Sequence, residues 1–187
     1  MVRSPDHESH YYISVIRDQD SSDLRARVAE LEQALESAQH AAETDALTGC
    51  LNRRGWERVL EREEDRCQRH RLPATVVVVD LDSLKAVNDG HGHDAGDDLI
   101  CGCARVLSAT VRIHDTVARL GGDEFGVLAT HAGDAGAPPL KQRLTTALAA
   151  ARIDATLGAA VRTEFAGLRE AWQVADRRML GAKRATR

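Results

Sequence analysis

The sequence predicts an α+β fold, in which a central mixed or antiparallel sheet is flanked by helices and preceded by a long coiled-coil helix. Three observations support this prediction. A run of four valines, residues 76–79, is typical of a buried strand that is covered on both faces. Two short apolar segments flank the pair Gly121-Gly122 and predict a hairpin. Apolar residues spaced alternately four and three apart over residues 24–42 indicate a coiled coil.

The composition is that of a globular domain with an appendage. Of the 187 residues, 43% are hydrophobic and only 3% are aromatic, so the core is expected to be aliphatic. The net charge of −4 argues against non-specific nucleic-acid binding, which requires a basic surface. The longest apolar runs are too short to cross a bilayer, and no signal peptide is recognised. We therefore expect a cytoplasmic protein with no nucleic-acid partner and no membrane segment.

The first element is predicted to be a short strand. Residues 10–18 alternate polar and apolar side chains and are rich in Tyr, Ile and Val. A lone strand is not stable by itself, so we expect it to belong to a sheet whose other strands lie elsewhere. The segment resembles the last strand of a PAS-type sensor domain. Residues 1–17 are accordingly predicted to be the remnant of a sensor domain, and the chain to be a piece of a longer protein.

The second element, residues 18–44, is predicted to be a coiled-coil signalling helix, because it contains neither Gly nor Pro. Its a and d positions are Leu24, Val28, Leu31, Leu35, Ala38 and Ala42. We favour a parallel homodimer formed through this apolar seam. The alternative is a single helix that lies on the domain that follows.

Residues 45–187 are predicted to form one globular domain. The predicted order is a turn over 45–54, a helix to about residue 70, a strand over 75–79, a polar loop over 85–99 that enters a helix over 94–110, two hairpin strands over 116–120 and 125–129, a helix over 138–151, a strand over 153–162 and a helix over 168–184.

Four carboxylates are predicted to meet at one edge of the sheet. Asp80 and Asp82 follow the valine strand, and Asp123 and Glu124 lie at the tip of the hairpin. If the hairpin pairs with the strand, these like charges lie close together and require a cation. A few oxygen ligands with open positions suit Mg²⁺ or Mn²⁺ bound to substrate phosphates, the arrangement of polymerase-like nucleotidyl transfer. The alternative is that each Asp only caps or solvates the end of a strand.

The cysteines do not predict a zinc site. Cys101 and Cys103 are separated by one residue, which is too short for the CxxC spacing, and Cys50 and Cys67 stand alone. We expect four thiols without a catalytic role in a reducing compartment.

Three segments together identify a family. DALTGCLNRRGW, VVDLDSLKAVNDGHGHDAGDDLI and RLGGDEFGVL resemble, in order and spacing, the GGDEF domain of diguanylate cyclases. ATLGAAV and ADRRMLGAKRATR resemble a later strand and the closing helix of that family. The resemblance covers residues 45–187. It implies the ferredoxin-like core of nucleotidyl cyclases and polymerase palms, and a dimer that condenses two GTP into cyclic di-GMP with release of two pyrophosphates.

The resemblance also implies a role for each matching residue. The metal ligands for two Mg²⁺ or Mn²⁺ ions per active site would be Asp80, the backbone carbonyl of Leu81, and Asp123. The catalytic set would be Asp123, Glu124 and Lys85. Guanine would be bound by Asn88 and Asp97, and phosphates by Lys85, Lys183 and Arg187. His93 would support the loop that precedes the helix. Without the family, Asn88-Asp89 would indicate only a turn.

Arg112 and Asp115 form an RxxD pattern before the signature. In the family this placement marks the site at which cyclic di-GMP binds as an inhibitor, and a guanidinium with a carboxylate suits guanine edges and phosphates. By itself the pattern is more often a surface ion pair.

Two other functions remain open at this point. The chain could be a non-catalytic receptor for cyclic di-GMP, although such receptors tend to lose the acidic residues that are intact here. It could also make another cyclic nucleotide, although Asn88 and Asp97 favour guanine. The departures from the family pattern, Leu84 for Phe, Leu180 for Tyr and Thr186 for Gly, are expected to affect packing and turnover rather than the site.

Overall fold

The structure is a computed structural model that describes residues 6–130 and 137–185, with side chains from residue 24 onward. The chain divides into two units, residues 1–42 and 43–187. The elements are α1 (Asp6–Glu43), α2 (Arg53–His70), β1 (Ala74–Leu81), α3 (Leu84–His91), α4 (His93–Thr110), β2 (Thr116–Arg119), β3 (Glu124–Thr130), α5 (Ala137–Ala150), β4 (Ala155–Val161) and α6 (Leu168–Ala185).

The described residues of the first unit belong to α1, and the strand predicted over residues 10–18 is wrong, because this segment is helical. Neither Gly nor Pro interrupts residues 6–43, so each added residue extends the helix by one hydrogen bond. A strand at the same place would have no partner. The seam residues Leu24, Val28, Leu31 and Leu35 are between 45% and 66% exposed. Over the described part of the chain, no helix is both long and apolar enough to cross a membrane.

The second unit is built on a four-stranded sheet in the order β2-β3-β1-β4, with all three neighbouring pairs antiparallel. Every residue of β1 is buried, which confirms the prediction that the valine strand is covered on both faces. One face carries a core built with α4 and α5. The other face carries a core built with α2 and α6. The predicted α+β fold class is therefore confirmed.

The helix predicted over residues 94–110 is confirmed as α4, but the polar loop predicted before it is wrong, because most of residues 85–93 form α3. Gly92 separates the two helices, at a φ of 86°. The glycines at positions 90 and 96 both lie inside helices. Gly96 is required by close packing rather than by a turn, since a Cβ there would lie 1.9 Å from Oδ1 of Asn88.

Helix α6 is held closely against the sheet. A Cβ at Gly158 of β4 would lie 2.0 Å from the carbonyl oxygen of Ala175, so only glycine lets the helix approach this far. The Arg178 guanidinium donates a 2.7 Å hydrogen bond to the carbonyl of Ala159. At the start of α6, the N–H of Leu168 donates to a carboxylate oxygen of Glu64 in α2, at 2.7 Å. These contacts direct the C-terminal turns of α6 toward the end of β1.

Candidate active site

The register of the sheet brings the predicted carboxylates to one edge. Asp80 of β1 lies directly opposite Glu124 of β3, which confirms that the hairpin pairs with the valine strand. The N–H of Leu81 donates to the carbonyl of Asp123 at 2.9 Å, so the tip of the hairpin is also tied to β1. We call Asp80, Asp82, Asp123 and Glu124 the acidic edge.

Burial and mutual repulsion act on the acidic edge. Burial raises the pKa of Asp80 above its ordinary value, and the nearby carboxylates of Asp123 and Asp82 raise it further, whereas Lys183 lowers it. Burial likewise raises the pKa of Glu124, followed by the charges of Asp176, Asp80 and Asp123. Two of the four carboxyl groups are therefore harder to ionise than isolated ones, which is the condition that a cation relieves.

Lys183 supplies positive charge to this edge. Its ammonium group donates a hydrogen bond to Oδ1 of Asp80 and lies 3.9 Å from Oδ1 of Asp82. Asp82 also accepts a 2.9 Å hydrogen bond from the hydroxyl of Thr156. A residue that lies 103 positions from Asp80 in the chain thus reaches the edge through the docking of α6.

A cleft of about 630 Å³ opens beside the acidic edge, large enough for a nucleotide. Its walls come from the end of β1, from α3, from the hairpin tip, from β4 and from α6. The predicted site residues among those that line it are Leu81, Lys85, Asp123 and Lys183. The structure therefore brings together carboxylates and amines that lie in three separate parts of the sequence.

The donor chemistry of the edge fits Mg²⁺ or Mn²⁺. Within the described residues, no three His, Cys, Asp or Glu side chains are arranged to hold a metal ion by themselves. Mg²⁺ does not need such a set, because it binds through one or two carboxylates together with water and substrate phosphates. Asp80, Asp123 and the carbonyl of Leu81 are all oxygen donors, and they fit this pattern.

The two residues predicted to bind guanine lie on adjacent helices. Asn88 is in α3 and Asp97 in the first turns of α4, where Asp97 is exposed. The side-chain oxygen of Asn88 is buried and has no hydrogen-bond partner within the described structure. Such a group is uncommon in a folded protein and indicates that a partner is missing. Asn88 lies within α3, so the simple turn that the dipeptide alone indicates is not present.

The other residues predicted for the nucleotide site are exposed or lie outside the described residues. Lys85 is exposed on α3 at the mouth of the cleft. His93 is exposed and begins α4, so the loop that it was predicted to support is helical. Arg187 lies outside the described residues.

The RxxD residues form a turn at the other end of the sheet. Oδ2 of Asp115 accepts a 2.9 Å hydrogen bond from the backbone N–H of Arg112, and the N–H of Asp115 donates to the carbonyl of Arg112 at 2.9 Å. This turn joins α4 to β2, and the Arg112 side chain is exposed. Asp115 therefore has a structural role in addition to the ligand-binding role predicted for it.

Sequence reasoning missed a bridge that holds the hairpin tip. The Arg119 guanidinium donates to the carbonyl oxygens of Gly121 and Gly122, at 3.1 and 2.9 Å, and to the Asp45 carboxylate at 3.3 Å. Burial of Asp45 opposes its ionisation, but hydrogen bonds from Thr48 and Arg119 outweigh this and lower its pKa. Asp45 and Arg119 are each the first residue of a segment that resembles the family. They lie 74 positions apart, so no local sequence pattern predicts that they pair.

Sequence reasoning also missed a second cleft, of about 340 Å³, on the α2 and α6 face of the sheet. Glu124 and Asp176 line it together with Trp172, Arg53 and other residues. The Arg53 guanidinium lies 5.5 Å from the centre of the Trp172 ring, within cation–π distance. Glu124 thus faces a different cleft from Asp123, although the two are adjacent in the chain.

Several known proteins are similar to this chain in sequence. The family model described as "Diguanylate cyclase, GGDEF domain" matches residues 42–187. The probable diguanylate cyclase DgcC of Escherichia coli strain K12 is 46% identical over 84 residues, which is 45% of this chain and 23% of DgcC. The chain spans less than a quarter of the length of the curated relatives it matches.

Solved structures show the same fold. A sensory box/GGDEF family protein from Caulobacter crescentus is 36% identical, with a TM-score of 0.70, covering 76% of this chain and 99% of that one. The coiled coil and GGDEF domain of DgcB from Caulobacter crescentus, solved with c-di-GMP, has a TM-score of 0.79 at 23% identity, covering 91% of this chain and 95% of that one. With a family model that matches almost everything after the first helix, the chain belongs to the diguanylate cyclase GGDEF domain family.

Proposed function

We propose that this chain is an active diguanylate cyclase that condenses two GTP into cyclic di-GMP and releases two pyrophosphates. The observation that supports this most is the register of β1 and β3, in which Asp80 faces Glu124 beside Lys183 and the 630 Å³ cleft. A set of carboxylates that share one edge with an amine suits the transfer of a nucleotidyl group.

Each residue has a role in this proposal. Asp80, Asp123 and the carbonyl of Leu81 hold Mg²⁺ or Mn²⁺, and Glu124, which lies opposite Asp80 in the register of the sheet, assists catalysis. A bound divalent cation would neutralise charge on the triphosphate and acidify the attacking hydroxyl. Asn88 and Asp97 bind guanine, an amide and a carboxylate that can pair with its donor and acceptor edge. The phosphate-binding residues are Lys85, Lys183 and Arg187.

The reaction requires two domains. In each half, the 3′ oxygen of one GTP forms a bond with the α-phosphorus of the other, and the bond to the leaving pyrophosphate breaks. One domain holds one GTP, so the rate depends on how closely two domains face each other. We propose that α1 pairs with α1 of a second copy, which would bury the exposed seam of Leu24, Val28, Leu31 and Leu35.

We also propose product inhibition at the RxxD turn, where cyclic di-GMP would contact the exposed guanidinium of Arg112. This turn lies at the opposite end of the sheet from the acidic edge, since β2 begins at Thr116 and the signature follows its last residue. A cytoplasmic location, where GTP is available, belongs to the same proposal.

Incubation of the purified chain with GTP and Mg²⁺, followed by chromatography of the nucleotides, tests the activity. Cyclic di-GMP should form with the natural sequence and not with Asp123→Asn. One alternative is a receptor that binds cyclic di-GMP at the RxxD turn without making it, although the intact acidic edge argues against this. That alternative is correct if no product forms at any protein concentration and Arg112→Ala abolishes tight cyclic di-GMP binding.

The dimer has its own test. Specific activity should rise with protein concentration, and Leu31→Asp, which places a charge in the apolar seam, should shift that rise to higher concentration. Glu32→Asp, on a neighbouring position outside the seam, is the matched control. A specific activity that does not change with concentration in any of the three chains would remove the role proposed for α1.

A further inference from the structure

Lys183 stands between two carboxylates that it contacts unequally. It pairs directly with Oδ1 of Asp80, whose side chain is only 9% exposed, and its ammonium group lies 3.9 Å from Oδ1 of Asp82, which is 34% exposed. Under the proposed function Asp80 binds a divalent cation and Lys183 binds phosphate. An ammonium group and a metal ion on the same carboxylate oxygen repel each other strongly, so Lys183 has to leave Oδ1 of Asp80 before a cation can bind that oxygen.

Asp82 is held in place as an alternative partner. Thr156, which lies opposite Asp80 in the β1–β4 register, donates its hydroxyl to both carboxylate oxygens of Asp82, at 2.9 and 3.2 Å. The backbone N–H of Asp82 donates to the carbonyl of Asp154 at 2.9 Å. Main chain and side chain of Asp82 are therefore both fixed, on the wall of the cleft that Lys183 also lines.

We propose that Asp82, oriented by Thr156, is a positioning residue that receives Lys183 when Asp80 binds a divalent cation. Lysine suits this movement, because its ammonium group is a compact charge on a flexible four-carbon stem. A change of partner between two carboxylates of the same cleft needs only a small shift of the side-chain end. In one arrangement Lys183 neutralises Asp80, and in the other it pairs with Asp82 and faces the cleft, where a phosphate would lie.

The proposal rests on the proposed function for the identity of the cation site, but it makes a separate prediction. Lys183 competes with the cation for Asp80, so removing Lys183 should strengthen cation binding in the absence of nucleotide. A residue that only binds phosphate would not have this effect. The alternative role for Asp82, as a metal ligand itself, predicts that its loss weakens cation binding whether or not Lys183 is present.

The first experiment measures Mn²⁺ binding to the full nucleotide-free chain by electron paramagnetic resonance. Lys183→Met should bind Mn²⁺ about fivefold more tightly, the effect expected when a partly exposed ion pair no longer competes. Lys85→Met removes the same charge from the same cleft and should change the affinity less than twofold. Equal changes in the two variants would mean that only the general field matters, and would overturn the proposal.

The second experiment tests Asp82 and Thr156 in both backgrounds. Thr156→Val, which alters no charge, should weaken Mn²⁺ binding in the natural sequence and have no effect in Lys183→Met. Asp82→Asn should likewise have a much smaller effect in Lys183→Met than in the natural sequence. A tenfold loss on Asp82→Asn in the Lys183→Met background would identify Asp82 as a metal ligand and contradict the proposal.

Failure of this proposal is distinguishable from failure of the proposed function. If no variant binds Mn²⁺ at millimolar concentration, Lys183 does not control access to Asp80 and the proposal is wrong. Formation of cyclic di-GMP from GTP still decides the proposed function in that case. Circular dichroism and thermal midpoints of the variants establish that they are folded, so a change in Mn²⁺ affinity is not a consequence of unfolding.

Discussion

Two ion pairs beside the sheet of this domain, Glu64–Arg162 and Asp80–Lys183, differ in how completely their charges are satisfied. The Glu64 carboxylate accepts hydrogen bonds from the Arg162 guanidinium through both oxygens, at 2.7 to 3.1 Å, and another from the N–H of Leu168. Lys183 makes a single contact with Asp80, within a group of like charges. The first pair is satisfied in a planar, two-point geometry, and the second is left with competing partners.

The pKa directions show the same difference. Hydrogen bonds from Arg162 lower the pKa of Glu64 despite the opposing effect of burial. Burial raises the pKa of Asp80, and Lys183 only partly offsets it. The fold thus stabilises the charge of Glu64 and destabilises the charge of Asp80. We interpret the Glu64–Arg162 pair as a structural contact that stabilises the packing of α2, β4 and α6. We interpret the Asp80–Lys183 pair as part of a ligand-binding site.

Substitutions in the two ion pairs are expected to differ most in their effect on catalytic activity. Asp80→Asn should lower the rate of cyclic di-GMP formation on the order of 10³-fold, because a carboxylate that organises charge in the transition state is lost. Its thermal midpoint, measured without divalent metal, should stay equal or rise slightly. If Asp80→Asn lost activity only to the extent that a smaller fraction of it was folded, the difference proposed between the two ion pairs would be contradicted.

The next effect is expected in stability. Glu64→Gln should lower the free energy of unfolding by about 2 kcal/mol, since Arg162 would be left partly buried without its charge partner. Glu30→Gln, which breaks the exposed pair with Arg27, is the matched control and should leave the chemical denaturation midpoint unchanged. Residual activity of Glu64→Gln, measured well below its melting temperature, should remain close to that of the natural sequence.

The smallest effect is expected in the dependence of stability on pH. The pKa of Glu64 is lower in the folded state than in the unfolded state, so the stabilisation by Glu64 is complete above the unfolded pKa. It is lost as the pH falls through the folded pKa. The advantage of the natural sequence over Glu64→Gln should therefore shrink on acidification.

The contribution of Asp80 to stability changes with pH in the opposite direction. Its folded pKa is raised, so the folded state binds the proton more readily and gains stability as the pH falls through that value. Any stability advantage of Asp80→Asn at neutral pH should disappear at acidic pH, where Asp80 itself is protonated. Denaturant titrations at a series of pH values in a chelating buffer measure both trends, and parallel curves for the two variants would contradict the comparison.

The sequence predicted those parts of the fold and site that local patterns determine. The valine run predicted a strand covered on both faces, and the glycine pair predicted a hairpin, because burial and turn chemistry are short-range properties. From these two elements the acidic edge follows, since pairing of the hairpin with the strand leaves little choice of register. The register of Asp80 with Glu124 confirmed it.

The predictions that failed depended on wider context. Tyr, Ile and Val over residues 10–18 favour a strand locally, but the segment continues an uninterrupted helix. The polar residues before the helix predicted over 94–110 indicated a loop, whereas most of them form α3, and Gly96 of α4 makes room for Asn88. Glu64 and Arg162 are 98 positions apart, so only the docked arrangement of α2 and β4 reveals that they meet.

The two tryptophans of the chain give this domain an internal optical probe. Trp56 is fully buried, and its ring meets that of Trp172 edge to face, with 6.0 Å between the ring centres. Trp172 lines the same cleft as Glu124. The ring of Trp56 lies against Gly126 of β3, the strand that follows the glycine pair. Intrinsic fluorescence, excited without any label, therefore arises next to the signature. Titration with GTP or a divalent metal can be followed in real time on the natural sequence.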